Sequence, residues 1–234
     1  MHMKKICIIT AMEEEFDVIK ELINNITIQK YFDLSLYCGL IESKEVVLVQ
    51  CGVGKVNSAR TTQILIDKFD IDYIINVGVA GSLNENLEIG DILIGKTLVQ
   101  HDFDITAGGH PKGYISKELG REFLSDKKLI SKCEKIINND LRDTNAKIGT
   151  IATGDVFCTK ISMKEELIKE FNADCVEMEG ASIAQVCTLC KIPFIVIRSI
   201  SDKPNGHNEA DFKKYVISSS KKFQKIIKLL IEKE

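Results

Sequence analysis

Apolar runs of strand length recur along the chain, separated by stretches with helical periodicity. The runs are KICIIT, EVVLVQC, DYIINVGVA, DILIGKTLVQ, KIGTIATG, DCVEM and PFIVIRSIS. Their nearly continuous apolar character is typical of strands buried on both faces. The helical patterns cover residues 13–25, 55–69, 127–139, 161–171, 180–190 and 209–232. This alternation predicts an α/β fold with a largely parallel sheet and helices on both of its faces.

Polar, acidic and glycine residues collect where the predicted strands end. Reading past the strands gives TAMEEE, CGVGK, GVAGS, TGDVF, EMEG and RSISD. In open α/β sheets, ligands bind outside the carboxyl ends of the strands. A small-molecule site is therefore expected at this edge of the sheet.

Glu15 differs from the two glutamates that precede it. Thr10 and Glu13 have the spacing of a capping box at the start of the first helix, and Glu14 also favours the positive end of the helix dipole. On a helical wheel, however, Glu15 falls within the apolar stripe that includes Phe16 and Ile19. A carboxylate on the core side is costly without partners or a function. We therefore interpret Glu15 as functional, and Glu13 and Glu14 as structural.

Two further groups of charged residues follow predicted strands. In VEMEG, strand periodicity puts Glu177 and Glu179 on one side. There the two carboxylates could bind a metal ion or accept hydrogen bonds from sugar hydroxyls, and the alternative is a solvated strand end without a function. In RSISD, Arg198 and Asp202 flank Ser201, and the alternatives are an Arg198–Asp202 ion pair and an acid available for general-acid catalysis.

Glycine-containing turns and one aromatic residue complete the candidate chemistry. CGVGK (51–55) lacks both the glycine spacing and the Lys-Ser/Thr pair of a P-loop, and a dinucleotide fingerprint would need a third glycine. The turn that contains Val79, Ala80 and Gly81 suits the close approach of a ligand, although such turns also occur without one. Core packing and stacking on a planar base explain Phe157 equally well.

Composition and charge narrow the class of protein. The chain has 234 residues, 44% of them hydrophobic, with neither internal repeat nor linker, so residues 1–234 are expected to form one domain around a sizeable core. The segment 103–120 is the best candidate for a long mobile loop. A dispersed net charge of −3 argues against nucleic acid as a partner. No apolar stretch is long enough for a membrane span or a secretory signal, so no membrane association and a cytoplasmic location are expected.

Metal binding and cofactors are not expected. The eight cysteines lie mostly in apolar segments, where free thiols behave as small buried hydrophobes. Cys187 and Cys190 have the spacing of half a zinc site, but a second pair is missing. His101 and His110 flank two aspartates without a recognisable ligand spacing.

Six motifs in register resemble the 5′-methylthioadenosine/S-adenosylhomocysteine nucleosidase family, within the purine nucleoside phosphorylase superfamily. They are AMEEE (11–15), GVGK (52–55), GVAGS (78–82), TGDVF (153–157), VEMEGASIAQV (176–186) and RSISD (198–202). The resemblance extends from residue 4 to about residue 230. It implies a three-layer αβα fold with a central mixed, largely parallel sheet, and no cofactor.

The resemblance also implies roles for individual residues. By position, Glu15 matches the family's water-activating base and Asp202, after Ser201, its acid at the purine. Arg198 belongs to the polar shell around Glu15 and the water, while Glu179 matches the ribose-binding carboxylate. The remaining implied substrate contacts are Met12, Val53, Val79, Ala80, Gly81, Ile105, Phe157, Cys158, Glu177, Met178 and Phe212. Among them, Phe157 matches the residue that stacks on adenine, and the Cys158 backbone matches the position that reads the base edge. The 5′-alkylthio pocket is matched by Val53, Ile105 and Phe212.

The family's 5′ pocket is completed by a neighbouring subunit, which implies a homodimer. Two departures affect this region. Val79 stands where serine is frequent, and Gly108 stands where an aromatic residue usually covers the 5′ group. The expected substrates are 5′-methylthioadenosine and S-adenosylhomocysteine, with 5′-deoxyadenosine as a further candidate. Futalosine-type hydrolysis, phosphate-dependent cleavage and nucleoside binding without catalysis remain as alternatives.

Overall fold

Strands and helices alternate through most of the chain, as the hydrophobic pattern predicts. A computed structural model describes residues 5–141, 143–202 and 209–232, with side chains in the last range given for residue 215 and residues 219–232. The strands are β1 (Lys5–Thr10), β2 (Asn24–Tyr31), β3 (Leu34–Ile41), β4 (Lys44–Gln50), β5 (Ile71–Ser82), β6 (Ile92–Gln100), β7 (Phe123–Leu124), β8 (Ala146–Thr153), β9 (Cys175–Glu177) and β10 (Phe194–Asp202). The helices are α1 (Glu13–Lys20), α2 (Lys55–Lys68), α3 (Lys127–Asp140), α4 (Ile161–Phe171), α5 (Gly180–Cys190) and α6 (Glu209–Glu232).

All ten strands belong to one mixed sheet, which confirms the predicted fold class. Its order is β10-β6-β8-β9-β5-β1-β4-β3-β2, with β7 on β6. Strand β5 also pairs with β10, so β5, β10, β6, β8 and β9 form a closed ring of strands. The antiparallel pairs are β2–β3, β3–β4, β5–β9, β6–β7 and β6–β10.

Helices cover both faces of the sheet. Alternate residues of β1 show the division: Ile6 and Ile8 lie in the core with α1, α3 and α6, whereas Cys7 and Ile9 lie in the core with α2 and α5. The side chain of Leu167 on α4 is buried in a smaller cluster against β8 and β9. Because strands buried on both faces need continuous apolar sequence, this layering explains the runs seen in the sequence.

Most predicted elements are confirmed, but the helix predicted at residues 13–25 is wrong over its last part. The helices predicted at 161–171, 180–190 and 209–232 have the observed bounds, whereas the one predicted at 13–25 ends at Lys20. Residues 24–41 form a β-hairpin that the sequence analysis missed. Gly39 is essential to it, because a Cβ there would lie 2.5 Å from the carbonyl oxygen of Asn24. Within segment 103–120, the structure has a short 3₁₀ turn, Thr106–Gly108, and a Ser116–Gly120 bridge.

The parallel pairing of β5 with β10 places two predicted motifs side by side. Arg198 lies opposite Gly78, and Asp202 lies opposite Gly81. The motifs GVAGS and RSISD, more than a hundred residues apart in sequence, thereby meet at the carboxyl edge of the sheet. This edge is where the fold class predicts a ligand site.

Candidate active site

One cavity at the carboxyl edge collects nearly all the residues singled out in the sequence. Its volume is about 260 Å³. The predicted residues that line it are Met12, Glu15, Val53, Val79, Ala80, Gly81, Phe157, Cys158, Glu177, Met178, Glu179, Arg198, Ser201 and Asp202. Ile105 is exposed and lies outside this lining, and the side chain of Phe212 lies outside the described part of the chain.

Glu15 is buried at the start of α1, with its carboxylate held by backbone amides. Its Oε2 accepts hydrogen bonds from the N–H groups of Ala11 at 3.2 Å and Met12 at 3.1 Å, and its Oε1 accepts one from Val79 at 3.2 Å. Burial raises the pKa of Glu15, while the amides and the positive charge of Arg198 oppose the rise. A fixed carboxylate with a raised pKa is suited to accept a proton near neutral pH.

The capping prediction for this helix is wrong. The N-cap is Met12, and Glu15 supplies the carboxylate that receives the N-cap amide. Thr10 is instead the last residue of β1, with a buried hydroxyl, and Glu13 is exposed. The structure therefore gives Glu15 a capping function that the sequence analysis assigned to Glu13.

Arg198 is fully buried and is bound by groups other than Asp202. Its Nε donates to Glu177 Oε2 at 3.1 Å, and its Nη2 forms an ion pair with the same oxygen and also donates to Asn76 Oδ1 at 2.6 Å. The alternative of an Arg198–Asp202 pair is therefore wrong. Gly78 lets the backbone pass close by, since a Cβ there would lie 3.2 Å from Glu15 Oε1 and 3.5 Å from Arg198 Cζ.

Glu177 and Glu179 are both buried, so the solvated-strand alternative is wrong. Strand β9 ends at Glu177, and Glu179 is the N-cap residue of α5. Besides Arg198, the Glu177 carboxylate binds the Thr153 hydroxyl and the backbone N–H groups of Glu179 and Gly180. Protein donors thus occupy both oxygens of Glu177.

Glu179 retains a carboxylate oxygen for a ligand. Its Oε1 accepts the N–H of Gly54 at 2.9 Å, and no hydrogen bond to Oε2 is found among the described residues. Burial and the nearby charge of Glu177 raise the pKa of Glu179 to about 7, against the opposing effect of Arg198. The site therefore holds Glu179 close to its protonation midpoint near neutral pH.

Asp202 lines the cavity beside a glycine turn. The Ser201 hydroxyl donates to its Oδ1 at 2.8 Å, and a Cβ on Gly81 would lie 3.1 Å from its Oδ2. Phe157 is 70% exposed, too much for a core residue, and forms part of the cavity wall with Cys158. An apolar ring and a carboxylic acid on one cavity suit a planar heterocycle that receives a proton.

Asn76 is a site residue that the sequence analysis missed. It lines the cavity, orients Arg198, and donates from Nδ2 to the carbonyl of Ile9 at 3.0 Å, which ties β5 to β1. The sequence feature that could have indicated Asn76 is its side-chain amide, which stands alone inside the apolar run YIINVGV. A buried amide in a core strand needs partners, so such a position deserves inspection.

The described residues contain neither a cluster suited to a metal ion nor a helix suited to a membrane. Neither CTLC nor the His101 region belongs to a group of three His, Cys, Asp or Glu side chains that could hold a metal ion, and no other such group was found within the described ranges. None of the helices in that part of the chain is long and apolar enough to cross a bilayer.

Comparison with known proteins agrees with this fold. The sequence profile of the phosphorylase superfamily matches residues 5–232, and the chain therefore belongs to that superfamily. A 5′-methylthioadenosine/S-adenosylhomocysteine nucleosidase of Staphylococcus haemolyticus is 40% identical over 226 residues, covering 96% of this chain and 98% of the relative.

Solved structures of two related hydrolases have the same fold as this chain. A Helicobacter pylori 5′-methylthioadenosine/S-adenosylhomocysteine nucleosidase, in complex with a pyrrolopyrimidine pyrrolidine ligand, superimposes with a TM-score of 0.93 at 34% identity and covers 100% of both chains. The structure of futalosine hydrolase from the same organism gives a TM-score of 0.92 at 34% identity, covering 99% of this chain and 98% of that one.

Proposed function

We propose that this protein is an N-glycosyl hydrolase that cleaves 5′-methylthioadenosine and S-adenosylhomocysteine to adenine and the 5′-substituted ribose. The observation that carries the proposal is the convergence of three carboxyl groups, from Glu15, Glu179 and Asp202, on one cavity beside the exposed ring of Phe157. Nearly full-length similarity to nucleosidases that act on these substrates supports it.

Water is the nucleophile in this reaction. Glu15 orients a water molecule below the anomeric carbon and takes its proton while the water oxygen bonds to that carbon. The bond between the anomeric carbon and N9 of adenine breaks, and its electron pair moves into the purine. Asp202 gives its proton to N7, which makes adenine a better leaving group. This resembles the division between acid and base in inverting glycosidases.

Glu179 holds the sugar during bond cleavage. Its free carboxylate oxygen accepts hydrogen bonds from the ribose hydroxyls, and its negative charge stabilises the oxocarbenium-like transition state. Phe157 stacks on adenine, the Cys158 backbone reads the base edge, and Met12 and Met178 pack beside the ribose. Glu177 acts through Arg198, because the buried guanidinium is ion-paired with its carboxylate.

Phosphate-dependent cleavage is the less favoured alternative. Of the described residues that line the cavity, only Arg198 is cationic, and its guanidinium is bound to Glu177, Asn76 and the Ile197 carbonyl. A phosphate dianion would face Glu15 without a free positive charge to hold it. Futalosine-type hydrolysis remains a specific alternative, because the similar Helicobacter structure carries that name.

We also propose one domain for residues 1–234, and a homodimer in which a second copy completes the 5′ pocket. One sheet takes strands from residue 5 to residue 202, which supports the single domain. Val53 lines the cavity yet is 50% exposed, and Ile105 is exposed outside the lining. Apolar side chains exposed at the rim of a cavity support an interface there.

The deciding experiment is adenine release from 5′-methylthioadenosine in phosphate-free buffer, for wild type, Glu15→Gln and the control Glu13→Gln. Because a general base contributes roughly 10²- to 10⁴-fold, Glu15→Gln should lose at least two decades of turnover. Glu13 is exposed on the same helix and should tolerate the change. Release that requires phosphate would indicate a phosphorylase. Binding without release would indicate a nucleoside-binding protein, and release from futalosine alone would indicate the other hydrolase.

A further inference from the structure

Three charged residues next to the cavity form a closed ring of hydrogen bonds. Lys55 Nζ donates to Asp102 Oδ1 at 2.5 Å, and Asp102 Oδ2 accepts the backbone N–H of Asp155 at 2.8 Å. Asp155 Oδ1 then accepts the backbone N–H of Lys55 at 2.8 Å, which closes the Lys55–Asp102–Asp155 ring. The members come from the start of α2, the segment after β6 and the segment after β8.

The Lys55–Asp102–Asp155 ring touches the cavity through the residue before Lys55. Gly54 is the donor that holds Glu179 Oε1 at 2.9 Å, and its φ of +99° is a conformation that glycine adopts readily. A Cβ on Gly54 would lie 3.0 Å from Asp155 Oδ1, so the aspartate packs directly against this turn. Asp155 therefore lies against the residue whose amide binds Glu179, and it binds the next amide along the chain, that of Lys55.

The same aspartate also directly precedes a short segment that forms part of the cavity wall. Gly154 N–H donates to the carbonyl of Glu177 at 3.1 Å, and Val156 and Phe157 follow Asp155 directly. Lys55 Nζ has a second acceptor in Gln100 Oε1, at 3.1 Å, on β6. The Lys55–Asp102–Asp155 ring therefore connects the turn that holds Glu179 with the segment that carries Phe157.

We propose that Lys55, Asp102 and Asp155 are positioning residues, whose ring orients the Gly54 amide toward Glu179 and thereby fixes the carboxylate that binds ribose. The kinetic part of this inference rests on the proposed function, whereas the orientation of Glu179 does not. Asp155 is the residue to test, because it is exposed and its replacement should leave the core intact.

The test compares Asp155→Ala, Asp155→Asn and the control Asp33→Ala. Asn retains an oxygen that can accept the Lys55 amide, whereas Ala does not. Asp33 is an exposed carboxylate that pairs with Arg60, also on α2 but away from Gly54. The control therefore removes a comparable charge contact on the same helix without loosening the turn.

The first readout is the titration of Glu179 itself, followed by ¹³C NMR of carboxyl-labelled glutamate and assigned by the signal lost in Glu179→Gln. The charged groups around Glu179 are Glu177 on β9, Arg198 on β10 and Glu15 on α1, with the Cys51 thiol nearby. The Gly54 amide lowers the pKa of Glu179. Loosening it in Asp155→Ala should raise that pKa, whereas Asp155→Asn, which keeps the acceptor but loses the charge, should leave it at or slightly below the wild-type value.

The direction of the change in the Glu179 pKa distinguishes a positioning role of Asp155 from a simple effect of its charge. Removing a negative charge at Asp155 would by itself lower the pKa of Glu179, and would do so equally in the Ala and Asn variants. The second readout is catalysis: Asp155→Ala should lose about fivefold in kcat/KM, mostly through KM, as expected for one hydrogen bond.

Each result has a definite meaning. A raised pKa in Asp155→Ala alone, with the matching loss in kcat/KM, supports the proposal. If Asp155→Ala titrates as Asp33→Ala does, or if both Asp155 variants shift downward together, the proposal is wrong. A wild-type protein that releases no adenine would contradict the proposed function, while the Glu179 titration would still decide the orienting effect of the ring.

Discussion

Acidic residues with the same formal charge have very different environments in this molecule. Glu13 and Glu14 are exposed, whereas Glu15, the next residue along the helix, is buried and accepts three backbone amides. Glu177 is bound on both oxygens, and Glu179 on one. The partners of each carboxylate, rather than the number of acids, distinguish their roles: Glu177 is ion-paired with Arg198, whereas Glu15 and Glu179 are held by backbone amides.

The acid at the base is tested by Asp202→Asn. An amide cannot protonate N7, so turnover should fall by roughly 10²-fold or more while adenine binding persists. The measurement is single-turnover adenine release together with the affinity for free adenine. Asp72→Asn, an exposed change at the opposite end of β5, is the control. Turnover close to wild type in Asp202→Asn would exclude Asp202 as the acid.

The raised pKa of Glu179 predicts a pH-dependent effect on stability. A carboxyl whose pKa is about 7 when folded and near 4.5 when unfolded favours the folded state at low pH, and this contribution is lost as pH rises through 7. Glu179→Gln removes the titration and keeps an acceptor for Gly54. The free energy of unfolding should therefore rise by about 1–3 kcal/mol near pH 8. Urea denaturation should show that the difference in unfolding free energy between Glu179→Gln and wild type becomes smaller towards pH 5. The control Glu13→Gln should unfold as wild type does at both pH values.

At the scale of elements, one buried ion pair joins β10 to β9 and, through Asn76, to β5. Side chains of Arg198 and Glu177 are 1% and 3% exposed. An ion pair this deep adds little net stability when intact, but removal of one partner leaves an uncompensated charge. The pair therefore acts mainly to hold the strand ends, and the carboxylates on them, in one arrangement.

Arg198→Met tests this arrangement. The unfolding free energy should fall by about 3–5 kcal/mol, because Glu177 is left buried without its cation. Arg60→Met is the matched control: it breaks an exposed pair with Asp33 and should cost far less, because an exposed ion pair adds little net stability. Adding Glu177→Gln to Arg198→Met should recover part of the loss. Equal effects of the two arginine changes on urea denaturation would contradict a special role for the buried pair.

At the scale of the whole molecule, the proposed dimer is tested by mass and by dilution. Light scattering after size exclusion should give twice the chain's 26.2 kDa. Because the second copy is proposed to complete the 5′ pocket, specific activity should fall on dilution as the dimer dissociates. A monomer with undiminished activity would mean that the cavity described here is the whole site.

Prediction from sequence worked best where a local pattern determines structure. The helices at 161–171, 180–190 and 209–232 and the buried strands follow from apolar periodicity, which depends on neighbouring residues alone. It failed at residues 21–41, where the apolar stripe of α1 continues to the buried Ile23 although the helix has ended. There, pairing of β2 with β3 outweighed local helical periodicity.

The sequence by itself determined the α/β class, the position of a site after the strands, and the exceptional placement of Glu15, because each depends on spacing along one element. Only the tertiary structure decided that Arg198 binds Glu177 rather than Asp202, that Asn76 orients the arginine, and that Lys55, Asp102 and Asp155 close a ring. These contacts join segments far apart in the chain. They form because β5 pairs with β1, β9 and β10 and because β6 pairs with β8, and local sequence patterns carry no information about such long-range pairing.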